Sequence, residues 1–196
     1  MGRAFYVLTI ALLSASSVAQ AATLGFAPSA GSVSVGSSLA VDVVISDLGD
    51  SAAPSLGAFD LDVLFDPALF GLTGVAFGDP DLGDQLDLFD MGSLSGYDDS
   101  LPGTVNVFEI SFDLPEDLDG LQAGGFTLFT LTFDALAEGT SSLSTANLIF
   151  GDALGDPLSV DVVSGSLTAT ALPEPAAAML VALASLLLIL GRSWLS

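Results

Sequence analysis

The chain has 196 residues, and 24 acidic side chains against 2 basic ones give it a formal net charge of −22 at pH 7. Both basic residues, Arg3 and Arg192, lie close to the ends, so the stretch between them has no side-chain cation, and the chain has no histidine and no cysteine. These absences exclude the basic footprint that nucleic-acid binding needs, a disulfide framework, and nucleophilic catalysis that depends on His, Lys or Cys.

The first 21 residues predict a secretory signal peptide. Residues 1–3 supply a positive start, residues 4–13 form an apolar core, and Ala19 and Ala21 fit the A-x-A pattern of a cleavage site. We therefore expect a signal-peptide helix at residues 1–21, contact with the secretion machinery, and a mature chain that is exported from the cytoplasm.

Residues 22–171 predict one all-β domain. Apolar and polar residues alternate with a period of two in four segments, which is typical of strands with one buried face: residues 39–45, 59–65, 108–112 and 129–133. In the third segment this pattern places Phe108, Ile110 and Phe112 in the core and Glu109 on the solvent side. Shorter strands are predicted at residues 23–28, 32–35, 69–77, 143–150 and 158–169.

Segments rich in glycine, proline, aspartate and serine separate the predicted strands. They predict loops at residues 47–55, 79–103, 115–125 and 151–157. No amphipathic helix of ten residues is predicted between the strands. Regular short strands with one apolar and one polar face indicate an antiparallel β-sandwich.

The predicted loop at residues 79–103 is rich in aspartate. Clustered carboxylates on a flexible segment suit calcium, which takes several oxygen ligands, and five of them fall close together: Asp79, Asp81, Asp84, Asp87 and Asp90. Their spacing differs from that of an EF-hand, and an acidic, solvated loop without a discrete site is the alternative interpretation. Apart from this calcium prediction, the sequence indicates no cofactor.

The last residues, 172–196, predict a hydrophobic helix. Pro173, Glu174 and Pro175 precede an uncharged apolar run at residues 176–190, and Arg192 follows it. A helix of that run is about 22 Å long, which is short of the roughly 30 Å hydrocarbon core of a bilayer. A proline-containing segment that interrupts helices, a short apolar helix and an arginine follow one another in this order, which favours a sorting signal over a permanent membrane anchor.

This tail resembles the PEP-CTERM tails of Gram-negative bacteria, on the match of Pro173, Glu174, Pro175, the apolar run and Arg192. The resemblance implies that a membrane protease of the exosortase type recognises the tail and removes it. It also implies a precursor in the inner membrane and a mature protein at the cell surface or in the extracellular matrix. An ordinary C-terminal transmembrane helix is the alternative.

The middle of the chain resembles a cohesin domain. The match consists of Gly36-Ser37-Ser38 before the strand at residues 39–45, the alternating strand that runs into Phe65-Asp66-Pro67, and the strand at residues 129–133. It covers roughly residues 23–171. The resemblance implies a jelly-roll sandwich of about nine strands, related in fold to carbohydrate-binding modules.

These features lead to one expected function and two alternatives. We expect an exported, non-catalytic surface or extracellular-matrix protein, associated with exopolysaccharide or biofilm and sorted by its tail. The first alternative is a protein-recognition module that binds a dockerin-like partner, which the cohesin resemblance implies. The second is a carbohydrate-binding module, which is disfavoured because sugar-binding faces use Trp and Tyr and only Tyr97 lies between the terminal signals.

Overall fold

Eleven β-strands and one short α-helix make up residues 21–171, the part of the chain that the computed structural model describes. The elements are β1 (Ala22–Pro28), β2 (Val33–Ser34), β3 (Ser38–Ser46), β4 (Leu56–Leu64), β5 (Phe70–Phe77), β6 (Leu94–Asp98), β7 (Thr104–Ile110), α1 (Pro115–Leu121), β8 (Phe126–Ala135), β9 (Gly139–Asp152), β10 (Val160–Val162) and β11 (Gly165–Thr170). One sheet has the strand order β10-β1-β3-β8-β5, and the other has the order β2-β11-β9-β4-β7-β6.

The two sheets are mainly antiparallel and pack as a sandwich, which confirms the predicted fold class. Among the described strands, the pairs β1–β10 and β2–β11 are parallel. The single strand predicted at residues 158–169 is two strands, because the chain changes sheets there. β10 pairs with β1 in the five-stranded sheet, whereas β11 pairs with β9 in the six-stranded sheet.

Alternate side chains of both sheets form the core. Those of β3, β4 and β8 are at most 5% exposed: Leu39, Val41, Val43, Ile45, Phe59, Leu61, Val63, Phe129, Leu131 and Phe133. The ring of Phe59 on β4 stacks on that of Phe129 on β8, with ring centroids 5.7 Å apart, and so links the two sheets. The predicted period of two is therefore confirmed for these strands.

The predicted register of β7 is wrong by one residue. Val107 and Glu109 are buried, whereas Ile110 is 43% and Phe112 66% exposed. The cause is the pairing with β4, which places Glu109 opposite the inward-facing Phe59. Cross-strand partners share one side of a sheet, and a shift by one residue turns every side chain to the other side. The apolar–polar alternation of β4 is stronger than that of β7, and the pairing of the two strands therefore determines which side chains of β7 face the core.

Two elements lie inside predicted loops. β6 falls within residues 79–103 and pairs with β7 at the edge of its sheet. Helix α1 falls within residues 115–125, with Pro115 in the first turn, where its missing N–H costs nothing, and with Glu116 and Asp117 near the positive end of the helix dipole. Leu118 is its one buried residue, so these seven residues carry no helical periodicity.

The predicted signal peptide and sorting tail lie outside the described residues, except for Ala21, which is the first of them. The site residues concerned are Ala19, Pro173, Glu174, Pro175 and Arg192. Within residues 21–171, no helix is long and apolar enough to cross a membrane. The boundaries at residues 21 and 172 and the roles of both segments stay predictions.

Candidate functional site

An apolar patch lies on the outer side of the six-stranded sheet, where β4, β7 and β9 run side by side. Its members, called the apolar face below, are Ala58, Phe108, Ile110, Leu148 and Ile149. Ile149 is 65% exposed, Ile110 43% and Leu148 41%. The solvent side of an antiparallel sheet is normally polar, so a group of apolar side chains there indicates a binding surface.

Strand pairing creates the centre of the apolar face. Asp60 of β4 lies opposite Phe108 of β7 and opposite Ile149 of β9, so the three side chains form one row across the sheet. The row continues to Gly96 of β6, where a Cβ atom would lie 2.9 Å from the ring of Phe108. The ring of Phe108 therefore lies over Gly96, and a larger residue at position 96 would displace it.

A β-bulge in β9 brings two neighbouring apolar residues to the same side. Between the pairs Asp62–Ala146 and Asp60–Ile149, β9 has one residue more than β4. Asn147 takes up the extra residue with a φ of 50°, a left-handed conformation that asparagine tolerates. Leu148 and Ile149 are both exposed as a result.

Two shallow depressions adjoin each other and share Ala58 and Ile149 among their lining residues. One has a volume of about 240 Å³ and extends beside Phe108. The other has a volume of about 430 Å³ and extends beside Pro157, in the turn after β9. Both are open and mostly apolar, so they suit apolar side chains that project from the surface of a partner.

Two aspartates belong to this surface and are held by side-chain amides: Asp60 lies within the apolar face, between Phe108 and Ile149, and Asp62 lies next to it on β4. Asn106 Nδ2 donates to Asp60 Oδ1 at 2.7 Å and to Asp62 Oδ1 at 3.0 Å, and Asn147 Nδ2 donates to Asp62 Oδ2 at 2.5 Å. The amides fix the two carboxylates in place without neutralising them, since residues 22–171 contain no basic side chain. The apolar face therefore carries negative charge at Asp60 and beside it at Asp62.

The five aspartates of the predicted calcium site do not form one cluster. Within the described residues, no three acidic side chains are arranged to hold a metal ion. Asp79 Oδ1 accepts hydrogen bonds from the backbone amides of Asp81 and Leu82, and Asp79 Oδ2 accepts one from Thr127 at 2.8 Å. Burial raises the pKa of Asp79, but these hydrogen bonds outweigh burial and hold the pKa below its usual value.

Asp84 and Asp87 also stabilise turns of this segment. Asp84 Oδ1 accepts the backbone amide of Leu86 at 2.9 Å, and Asp87 Oδ1 accepts that of Met91 at 2.8 Å. Such bonds from a side chain to the backbone a few residues on are typical of aspartate in turns. Asp81 and Asp90 are exposed, and a calcium site made by all five side chains stays a prediction.

Glu109, whose carboxyl is fully buried on β7, is not among the site residues predicted from the sequence. Its Oε1 accepts a hydrogen bond from Ser93 Oγ at 2.5 Å, while Oε2 has no hydrogen-bond partner among the described residues. Burial raises the pKa of Glu109 to about 8; the bond from Ser93 opposes this rise, and the nearby carboxylates of Asp84 and Asp87 add to it. The signal that could have revealed this glutamate is the alternation of Val105 and Val107, which continues to position 109.

Solved structures with a similar fold include several cohesin modules. A non-cellulosomal cohesin from Archaeoglobus fulgidus has 18% identity and a TM-score of 0.56, over 82% of this chain and 97% of that chain. The seventh ScaB type I cohesin of Pseudobacteroides cellulosolvens has 14% identity and a TM-score of 0.59, over 79% of this chain and 96% of that chain. A cohesin in a type I cohesin–dockerin complex from Clostridium thermocellum has 13% identity and a TM-score of 0.59, over 80% and 98%.

Neither a protein-family model nor a curated protein matches the chain. The structural likeness extends over nearly the whole length of each cohesin and, in this chain, over most of the described residues. The part of the chain that the structure describes, residues 21–171, therefore has the cohesin fold.

Proposed function

We propose that this domain is a non-catalytic protein-recognition module that binds a partner protein through the apolar face. The observation that carries the proposal is the position of Phe108, Ile110 and Ile149 on the solvent side of the six-stranded sheet, outside the core. Apolar surface that stays in water costs free energy, and a partner that covers it removes that cost. The apolar face thus supplies a driving force for association.

The structural neighbours support this proposal. Two of them were solved as type I cohesin–dockerin complexes from Clostridium thermocellum, so those cohesins bind a protein. They share the fold of this chain at 13% identity. The kind of partner that this chain binds is therefore inferred from the chemistry of its apolar face.

The chemistry of the face favours a partner that presents apolar side chains next to lysine or arginine. The two depressions beside Ile149 accept apolar groups, and the carboxylates of Asp60, within the face, and Asp62, next to it, attract cations. Complementary charge speeds association and disfavours wrong partners. An acidic protein or an anionic polysaccharide would be repelled by a domain without any basic side chain.

A photo-reactive amino acid in place of Ile149 is expected to cross-link the domain to one specific protein among the exported proteins of the same organism. The matched control carries the same amino acid in place of Val163, which is 59% exposed in the turn between β10 and β11, away from the apolar face. Cross-linked products are separated and identified by mass spectrometry. Equal capture at both positions, or no capture at position 149, would contradict the proposal.

We also propose that the module is exported and sorted to the cell surface or the extracellular matrix, where it associates with exopolysaccharide or biofilm. The proposal rests on the residues of the signal peptide and on the resemblance of the tail to PEP-CTERM tails, which implies an exosortase-type protease as a further partner. We expect the surface-located protein to end close to Pro173 and to lack Trp194. Intact-mass measurement of that form decides this point, since a surface form that still ends at Ser196 would mean a retained membrane helix.

A further inference from the structure

A second site is indicated by the buried carboxyl of Glu109. On the strands beside it, the residues opposite Glu109 are Phe59 of β4 and Ser95 of β6, neither of which carries a charge. Its Oε1 accepts the hydroxyl of Ser93, and its Oε2 is buried without a partner. An ionised carboxylate buried without full pairing is strongly unfavourable, and residues 22–171 have no Lys, Arg or His that could pair with it.

A second carboxyl, that of Asp84, is a neighbour of Glu109 and helps to raise the pKa of Glu109. Asp84 Oδ1 is occupied by the backbone amide of Leu86, which leaves Oδ2 as the remaining acceptor. Two neighbouring carboxylates repel each other unless a positive charge lies between them. The carboxylate of Asp87 adds a third negative charge in the neighbourhood.

We propose that a calcium ion binds between the carboxyls of Glu109 and Asp84, with Ser93 Oγ as a third oxygen ligand. All three groups are oxygen donors, which calcium requires, and its irregular geometry allows one carboxylate to bind through both oxygens. Asp84 and Ser93 are only half-buried, so water can complete the coordination from the solvent side. The site differs from the five-aspartate site predicted from the sequence, because it is centred on a glutamate of β7.

The surrounding contacts already hold the ligand-bearing segment in place. Asp79 Oδ2 accepts a hydrogen bond from the backbone amide of Thr127, and Gln85 Oε1 accepts one from that of Ala123. The backbone amide of Leu88 donates to Asp113 Oδ2 at 2.7 Å. These bonds fix both ends of the stretch around Asp84 against other parts of the domain, so little chain entropy is lost when the ion binds. The ion would tie this stretch, Ser93 and β7 together at the edge of the six-stranded sheet.

Thermal unfolding of the purified full chain in CaCl₂, MgCl₂ and NaCl at equal ionic strength tests the site. We expect a dissociation constant for calcium in the roughly micromolar to millimolar range. At a calcium concentration about ten times the dissociation constant, the Tm is expected to rise by about 3 to 6 °C, and magnesium is expected to raise it by less. Glu109→Gln and Asp84→Asn are expected to abolish the calcium-specific rise. Glu138→Gln and Asp161→Asn make the same chemical changes at exposed positions and are expected to keep it.

Both site variants keep the size of the side chain and an oxygen that can accept the bonds from Ser93 or Leu86, so we expect them to fold. Cooperative unfolding in the absence of calcium checks this for each variant, and calorimetric titration of the wild type is expected to give one calcium ion per chain. Coincident curves in the three salts would overturn the proposal and leave a proton as the positive charge between the carboxyls. A calcium response that survives in Glu109→Gln would overturn it as well.

Discussion

Replacement of Phe59 by alanine is expected to lower the free energy of unfolding by about 3 to 5 kcal/mol, as truncation of a buried phenylalanine does. Phe59 is 2% exposed, and its ring stacks on Phe129 at 5.7 Å and on Phe150 at 6.4 Å. Because Phe59 contacts rings from both sheets, the cavity that the substitution leaves would lie at the centre of the sandwich. A loss of this size is a large part of the roughly 5 to 15 kcal/mol that stabilises a typical domain.

The matched control is Phe112→Ala. Phe112 is 66% exposed, so its loss is expected to change the free energy of unfolding by less than about 0.5 kcal/mol. Urea titration of both variants, followed by circular dichroism, measures the difference. A large effect at position 112 would show that the apolar alternation of residues 108–112 faces the core after all, and that the register described for β7 is wrong.

Replacement of Glu109 by glutamine is expected to stabilise the protein above pH 7 in buffer that contains EDTA. Glutamine keeps the bond from Ser93 and can donate to Asp84, but it carries no charge that burial would penalise. Since the pKa of Glu109 is raised from 4.5 to about 8, the folded chain holds one proton more than the unfolded chain between these pH values. The free energy of unfolding of the wild type therefore falls as pH rises through that range, by about 1.4 kcal/mol per pH unit and by roughly 3 kcal/mol between pH 5.5 and 8.5.

The measurement is urea denaturation of wild type, Glu109→Gln and Glu138→Gln at pH 5.5, 7 and 8.5. Residues 22–171 have no His, Cys or Lys, so none of these side chains contributes to the pH dependence. We expect the pH dependence in the wild type and in Glu138→Gln, and a flat profile in Glu109→Gln. Parallel profiles in all three proteins would mean that Glu109 is ionised in the fold at neutral pH.

The strands that could be predicted from the sequence are those whose two faces differ strongly. In β3, β4 and β8 the inward residues are apolar and the outward ones are mostly polar, so a period of two gives both the strand and its register. β7 has apolar residues on both sides, because Phe108 and Ile110 belong to the apolar face. The sequence pattern of β7 alone therefore predicts that its larger apolar side chains, Phe108 and Ile110, lie in the core. Only the pairing with β4 shows that Glu109 faces inward.

The candidate sites depend on contacts between residues that are far apart in the chain. Asp60, Phe108 and Ile149 form one row only through the registers of β4 with β7 and with β9, and the bulge at Asn147 is needed to expose Leu148. Glu109 and Asp84 are neighbours only because β6 pairs with β7 and brings the segment before β6 close to it. The sequence showed that aspartates cluster near position 84, but not that most of them bind backbone amides.

The affinity of the partner that cross-links at position 149 tests the protein-recognition proposal most directly. Isothermal titration calorimetry compares the wild type with Ile149→Asp, which removes an exposed apolar side chain of the apolar face and adds a charge next to Asp60, and with Val163→Asp, which makes a similar change elsewhere. We predict a Kd about 100-fold higher for Ile149→Asp, the size expected when a residue at the centre of an interface is lost, and a change of less than about twofold for Val163→Asp. An unchanged Kd for Ile149→Asp would contradict binding through the apolar face.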